Sequence, residues 1–270
     1  MRREPAGIVP PVIKAVIFDY GGVISSPLFR GIGDFEAAEG YRKGSLLQLL
    51  FGETHYIGVH GRSVADEVAA DEVAADEVAA DEMVVDELAS DPDSLEAEGE
   101  ADDVPAWHRL ERGEIDMAAY YGIIMERAPR VLGRGIDFDA YSRFMRSSAP
   151  GVHWQVVHRI RDLRGTVKLG LLTNNVKEFG EHWRSTFPID ELFEVIVDSS
   201  HVGMRKPDPE IYLLTCEQLA VDPGEAVFVD DNADNVAAAR ALGMETVHFG
   251  DDPRVALAEL DAILERRGLA

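Results

Sequence analysis

The stretch VIKAVIFDYGGVI, residues 12–24, is a short apolar run that stops at Asp19 and gives way to Tyr20 and two glycines. An apolar run of this length ended by a turn signal reads as a buried strand. Four more runs share the pattern: VKLGLLTNN (167–175), FEVIVDSS (193–200), EAVFVDDN (225–232) and METVHFG (244–250). Between them lie helix-like stretches, HWQVVHRIRDLRG, VKEFGEHWRSTF, PEIYLLTCEQLA and ADNVAAARALG. Pro209 suits the first turn of the third, and Gly243 closes the fourth after Leu242. Continuous apolar strands alternating with amphipathic helices predict a doubly wound α/β fold, its parallel sheet covered on both faces. Ligands bind such sheets at the carboxyl ends of the strands. Asp19, Thr173 and Asp230 fall there.

Residues 27–146 interrupt this alternation between the first strand and the second. Their patterning is helical in LLQLLFG, AWHRLERGEIDMAAYYGIIMERA and FDAYSRFMRS, which predicts a helical cap inserted into a core of 14–26 and 147–270. Within it, about 64–104 is an acidic insertion that opens with VADEVAADEVAADEVAADEMVVDE (64–87). A five-residue step advances a helix by roughly 140° beyond a full turn, so successive valines spiral around the axis and form no apolar face. Like charges such as Glu67 and Asp71 also oppose a helix at i,i+4, against the helical preference of alanine. The tract therefore reads as a solvated, fraying helix or a disordered insertion, with a specific acidic docking element as the alternative, and is continued by the linker-like SDPDSLEAEGEADD.

The net charge of −24 is local. Residues 66–103 hold 17 acidic residues and no Lys or Arg, which leaves about −7 for the rest of the chain. This balance argues against binding nucleic acid through its phosphates. No run approaches the ~20 apolar residues of a membrane span, and the N-terminus has no apolar signal region. Cys216 is the only cysteine, which excludes an internal disulfide and a Cys-based zinc cluster and fits a reducing cytoplasm. Nothing in the sequence sets an oligomeric state.

The strand-end residues carry the chemistry. A carboxylate at Asp19, followed by Gly21 and Gly22, can meet a phosphate cradled by backbone N–H groups of the turn. Thr173 offers a hydroxyl and an amide to phosphate oxygens. Lys206, in MRKPDPEIY just before a helix start, can neutralise both Asp19 and a transferring phosphoryl group. Asp230 and Asp231 are paired carboxylates, costly unless a cation neutralises them, and Mg²⁺ prefers such oxygen ligands. Together these residues imply phosphoryl transfer through an aspartyl-phosphate at Asp19.

The order FDYGGV, LLTNN, RKPDPEIY, FVDDNADN resembles the four motifs of the haloacid dehalogenase superfamily, over about 14–26 and 150–250. The insertion after the first motif is similar to its helical-cap subgroup. The runs FDYGGVI, RKPDPEIY and VDDNADNVAAARALGM further resemble sugar-phosphate phosphatases of the alpha-glucose-1-phosphatase type and the phosphatase-like domain of soluble epoxide hydrolases. The resemblance implies a Rossmann-like core and a Mg²⁺-dependent hydrolase acting on a small phosphorylated metabolite. It makes Asp19 the nucleophile and a metal ligand, and lets Thr173 and Asn174 hold the phosphoryl group while Lys206 balances charge. Asp231 would ligate Mg²⁺ directly, Asp230 directly or through water, and Gly21 through its backbone carbonyl. The second polar position of the last motif falls on Asp234 or Asn235.

One departure stands out. Most phosphatases of the family place an acid–base Asp two residues after the nucleophile, where this chain has Gly21. General acid–base help is worth roughly 10²–10⁴ in rate. Three readings follow: substrates with good leaving groups, an acid recruited from the cap, or a phosphate-binding protein with vestigial catalysis. Hydrolytic dehalogenation uses an Asp nucleophile without that acid, but the Asp pair and the FDYGG turn fit magnesium better than a halide pocket.

Other candidates read as structural. His55, His60, His153 and His158 lack a third partner at ligand spacing. GIGDFE (31–36) follows no strand and is no dinucleotide fingerprint. Trp154 and Trp183 are expected to pack the core, and Cys216 to be buried and inert. His108, Arg109 and Glu111, in WHRLERGEI, are either substrate contacts or ordinary helix surface.

Overall fold

Ala15–Phe18 forms β1, the middle strand of the sheet, in a computed structural model that describes residues 11–27, 29, 31–52, 104–147 and 151–269. The remaining strands are β2 (Lys168–Thr173), β3 (Val195–Asp198), β4 (Ala226–Asp230) and β5 (Glu245–His248). They pair in the order β3-β2-β1-β4-β5, every pair parallel. Its two neighbours leave β1 no free edge, and its four side chains are fully buried. Such a strand cannot alternate apolar with polar residues, which is why AVIF is apolar throughout.

Those four side chains serve two faces. Val16 and Phe18 join Leu169, Leu171, Val227 and Val229 under α6 (Trp154–Leu163) and α9 (Pro253–Arg267). Ala15 and Ile17 join Leu172, Val197 and Phe228 under α7 (Pro209–Leu219) and α8 (Ala233–Ala241). Each fully buried large apolar side chain contributes about 1.5–3 kcal/mol. The helix starts follow the sequence signals. Asp208 caps α7 with Pro209 in its first turn, Asn232 caps α8, and Gly243 follows the last residue of α8's cap with φ +89°.

Between β1 and β2 the described chain is helical: α1 (Ile32–Glu39), α2 (Ser45–Phe51), α3 (Ala106–Glu111), α4 (Met117–Leu132) and α5 (Phe138–Ser147). These helices enclose their own apolar cluster, built around Ile32, Phe35, Leu46, Leu49, Leu110 and Tyr120. A chain of edge-to-face rings, Phe29–Phe51–Trp107–Tyr120, runs through it at centroid distances of 5.0, 5.2 and 5.6 Å. Val176, just beyond β2, packs into the same cluster and seats the unit on the core. Glu36 is 1% exposed; its carboxylate accepts Gly44 N at 2.7 Å and Leu46 N at 2.6 Å, satisfying amides at the start of α2.

Some sequence expectations change. The run 106–128 divides into α3 and α4 at a turn where Gly113 has φ +66° and Asp116 caps α4. The run 176–187 is a 3₁₀ segment, Lys177–Ser185, interrupted at Gly180 (φ 55°, ψ −152°), instead of an α-helix. Trp154 is 51% exposed instead of packed in the core, because it opens α6 on the solvent side. Trp183 does pack against the core and stacks edge-on with Tyr20 at 5.1 Å. Cys216 is buried, and burial pushes its thiol up to about 11. The VADEV tract, its acidic continuation, His55 and His60 lie outside the described residues. Among the described residues no helix is long and apolar enough to cross a membrane.

Candidate active site

Because all five strands run parallel, their carboxyl ends share one edge of the sheet. Asp19 follows β1 directly, Thr173 ends β2, Asp198 ends β3, and Asp230 ends β4 with Asp231 behind it. The chain leaves β1 towards β2 on one side, while β4 lies on the other. Asp19, Asp230 and Asp231 thus stand at the switch point of the sheet, where adjacent connections diverge and leave a crevice.

Lys206 reaches this crevice from the loop before α7 and is 1% exposed. Its Nζ donates to Asp19 Oδ1 at 2.6 Å, Asp230 Oδ2 at 2.7 Å and the Leu172 carbonyl at 3.0 Å. An ammonium has three N–H donors, and all three are engaged. Burial alone would lower the lysine's pKa, but Asp19 and Asp230 outweigh it and hold the ammonium above its ordinary value.

Asp230 is fully buried and equally occupied. Its Oδ1 accepts Asn232 N at 2.8 Å and Asn235 Nδ2 at 3.0 Å; its Oδ2 accepts Lys206 and, at 3.2 Å, Asn235 Nδ2. Of the two residues left open by the sequence, Asn235 reaches Asp230, while Asp234 is exposed. Asn235 Oδ1 is buried without a protein partner.

Asp19, Asp230 and Asp231 offer oxygens that all lie within 4.8 Å of one another. Three carboxylates face one ammonium, which leaves two negative charges uncompensated whenever all three are ionised. Burial, opposed by Lys206 and reinforced by Asp230, pushes Asp19 up to about 7. Burial and then the charges of Asp230 and Asp19 raise Asp231 well above the ordinary carboxylate range. The turn is shaped around this cluster. Gly22 has φ +82°, and a Cβ there would lie 1.8 Å from Asp231 Oδ2. At Gly21 a Cβ would meet nothing within 4 Å, and the position is exposed.

The family model described as haloacid dehalogenase-like hydrolase matches residues 13–243. The chain belongs to that family. Among curated relatives, it is 34% identical over 116 residues to validoxylamine A 7'-phosphate phosphatase of Streptomyces hygroscopicus subsp. limoneus, covering 41% of this chain and 52% of the relative. It is 30% identical over 162 residues to acyl-CoA dehydrogenase family member 10 of Mus musculus, covering 58% of this chain and 15% of that one. Over 71 residues it is 41% identical to bifunctional epoxide hydrolase 2 of Sus scrofa, covering 26% and 13%. The chain spans about half the length of the first of these and a smaller part of the other two.

In this haloacid dehalogenase-like hydrolase the remaining expected residues take distinct places. Thr173 is 3% exposed at the end of β2, beside Asn174. The Asn174 side chain turns to the lysine loop: its Nδ2 donates to the Lys206 carbonyl at 3.0 Å, and its Oδ1 accepts Lys206 N at 2.8 Å. The Asn174 amide thus braces Lys206, a task the sequence reading did not assign it. Glu111 is not ordinary helix surface; it is 6% exposed and accepts Arg205 Nε at 2.7 Å. His108 is buried too, and His153 Nδ1 meets the Val23 carbonyl at 2.8 Å.

Several contributors escaped the sequence reading. Asp198 holds Asn175 Nδ2 at 2.9 Å and Ser200 Oγ at 2.7 Å; the strand-end rule that found Asp19 would have found it. Asn232, Ser199 and Arg205 had no such signal, because their partners lie far away in sequence or are backbone amides.

Proposed function

We propose that this hydrolase removes the phosphoryl group of a small phosphorylated metabolite, sugar phosphates being the first class to test, through an aspartyl-phosphate on Asp19. The observation that carries the reading is the buried Lys206 bridging Asp19 and Asp230 beside Asp231. The donor set fits a divalent cation: it is all oxygen, clustered, and two charges short of neutral. Oxygen-only sets favour Mg²⁺ among common ions. Asp19, Asp231 and the backbone carbonyl of Gly21 would hold the ion. Asp230 already accepts four hydrogen bonds, about the capacity of a carboxylate, which favours contact through water. When bound, Mg²⁺ supplies charge neutralisation for the phosphoryl oxygens.

The chain's own groups account for the rest. The Asp19 carboxylate attacks phosphorus, forming its O–P bond as the bond to the ester oxygen breaks and that oxygen takes a proton from water; the hydroxide or water then cleaves the acyl phosphate, releasing inorganic phosphate and restoring Asp19. Lys206 offsets charge on Asp19 and on the phosphoryl group. The Gly21 and Gly22 amides and the Thr173 hydroxyl are suited to the phosphoryl oxygens. The helical unit within 27–146 acts as a cap that excludes water and selects substrate, on a core of 14–26 and 147–270. The single cysteine fits a reducing cytoplasm, and the net charge of −24 disfavours nucleic acid.

Gly21 favours a second reading, because its exposed position offers a departing oxygen no side-chain proton. Under it the chain binds a phosphate ligand with negligible hydrolysis. Phosphate release from a panel of sugar phosphates, with Mg²⁺ and with chelator, for wild type and Asp19→Asn, separates the two. The enzyme reading requires Mg²⁺-dependent turnover that disappears in the variant. Bound Mg²⁺ without turnover on any member would replace it with the binding reading.

A further inference from the structure

We propose that Glu111 and Arg205 are a positioning pair through which the inserted helical unit sets the place of Lys206 in the carboxylate cluster. The inference rests on the reading of Lys206 as part of the phosphoryl-transfer site.

Glu111 ends α3 in the inserted unit, and Arg205 directly precedes Lys206. Their Nε–Oε2 contact is 2.7 Å, with Glu111 6% and Arg205 8% exposed. A buried ion pair repays its desolvation poorly and is often matched by apolar residues of similar size. Stability alone is therefore a weak account of it. Its location supplies a better one, since it clamps the residue next to a lysine whose ammonium must meet three acceptors at once.

A second path joins Glu111 to Lys206. The Glu111 carbonyl accepts Ser199 Oγ at 2.7 Å, and Ser199 Oγ accepts Asn175 N at 2.9 Å. Asn174, the adjacent residue, clasps the Lys206 backbone at both its N–H and its carbonyl. The turn after α3 presses on the same region, since a Cβ at Gly113 would lie 2.7 Å from the Ser200 carbonyl. A lysine side chain is long and flexible, so the placement of its charge depends on the backbone that carries it. Here that backbone is gripped on one flank by Glu111 through Arg205, and on the other through Ser199, Asn175 and Asn174.

The test reads Mg²⁺ affinity by calorimetry together with kcat and KM, in wild type, Glu111→Ala, Lys206→Met and the double variant. Removing the ammonium beside Asp19 and Asp230 tightens Mg²⁺ by about tenfold or more. Glu111→Ala, which frees the lysine loop, tightens it about threefold. The double variant matches Lys206→Met alone, because Glu111 acts through that lysine. In turnover, Glu111→Ala lowers kcat about tenfold with KM unchanged. Glu111→Gln, which keeps an acceptor for Arg205, falls between the two and stands in should Glu111→Ala not fold. A lower melting temperature with Mg²⁺ affinity and kcat at wild-type values would reduce the pair to a structural tie. A rise in KM alone would make Glu111 a substrate contact, and additive effects in the double variant would break the link to Lys206. A wild type without turnover would overturn the phosphatase reading, while the Mg²⁺ titrations would still decide the positioning role.

Discussion

Glu36 in the helical unit and Asp19 at the end of β1 are both nearly buried carboxylates, 1% and 7% exposed, yet they are held in opposite ways. Glu36 accepts the Gly44 and Leu46 amides at the start of α2, so its acceptors are used where the chain needs donors satisfied. Burial still raises its pKa, but the Gly44, Leu46 and Leu47 amides and then the opposite charge of Arg42 work against that rise. Asp19 sits with two further carboxylates and one ammonium, an arrangement the protein's own groups do not neutralise. A buried charge satisfied by its surroundings organises a fold. Buried charges left in excess call for something from outside, which is why the sheet edge reads as a site and the helical unit's carboxylate as architecture.

The sharpest way to break this contrast is at the two adjacent glycines. Gly22→Ala drives a Cβ to within 1.8 Å of Asp231 Oδ2 at a backbone φ of +82°. Displacing that carboxylate should lower kcat by about 10²-fold and weaken Mg²⁺ binding, read by phosphate release and calorimetry. Wild-type values would mean that Asp231 is not part of the site. Gly21→Asp enters open space instead, and the fold should accept it. Its carboxyl should raise turnover of simple alkyl phosphates by about tenfold, a fraction of what an optimised general acid supplies. Unchanged turnover there would show that leaving-group protonation does not limit this chain.

Glu36→Ala tests the other side of the contrast. Leaving two buried amides without their acceptor should cost about 1–3 kcal/mol in a urea melt, with turnover per folded molecule unchanged. A loss of activity at constant stability would make Glu36 functional after all. The smallest effect concerns pH. An unfolded aspartate loses its proton near 3.8, whereas Asp19 keeps one up to about 7. Across that window the folded chain binds the extra proton, so chelated protein should lose stability as pH rises through it. Mg²⁺ should therefore raise the melting temperature more at pH 8 than at pH 5. Equal increments at both would separate the buried charge of Asp19 from ion binding.

Five apolar runs marked five strands, because a parallel sheet covered on both faces forces continuous apolar sequence. The same logic put Asp19, Thr173 and Asp230 at one edge, since every strand points the same way. The start of one helix was legible from Pro209 and the end of another from Gly243. Where local chemistry was ambiguous the expectation failed: Gly180 divides a stretch patterned like a helix, and Trp154 faces solvent at the start of an amphipathic helix.

By itself, then, the sequence determined the elements, the class of sheet and the residues at its carboxyl edge, because periodicity, caps and turn residues act over a few positions along the chain. Only the tertiary structure decided the strand order, which brings β1 beside β4 and so Asp19 beside Asp230 and Asp231. It also decided that Lys206 spends all three donors there, that Asn235 and not Asp234 turns inward, and that Glu111 crosses from the helical unit to Arg205. These contacts join residues as many as 212 positions apart, as between Asp19 and Asp231. Packing and charge compensation select such partners in space, and spacing along the chain does not record them.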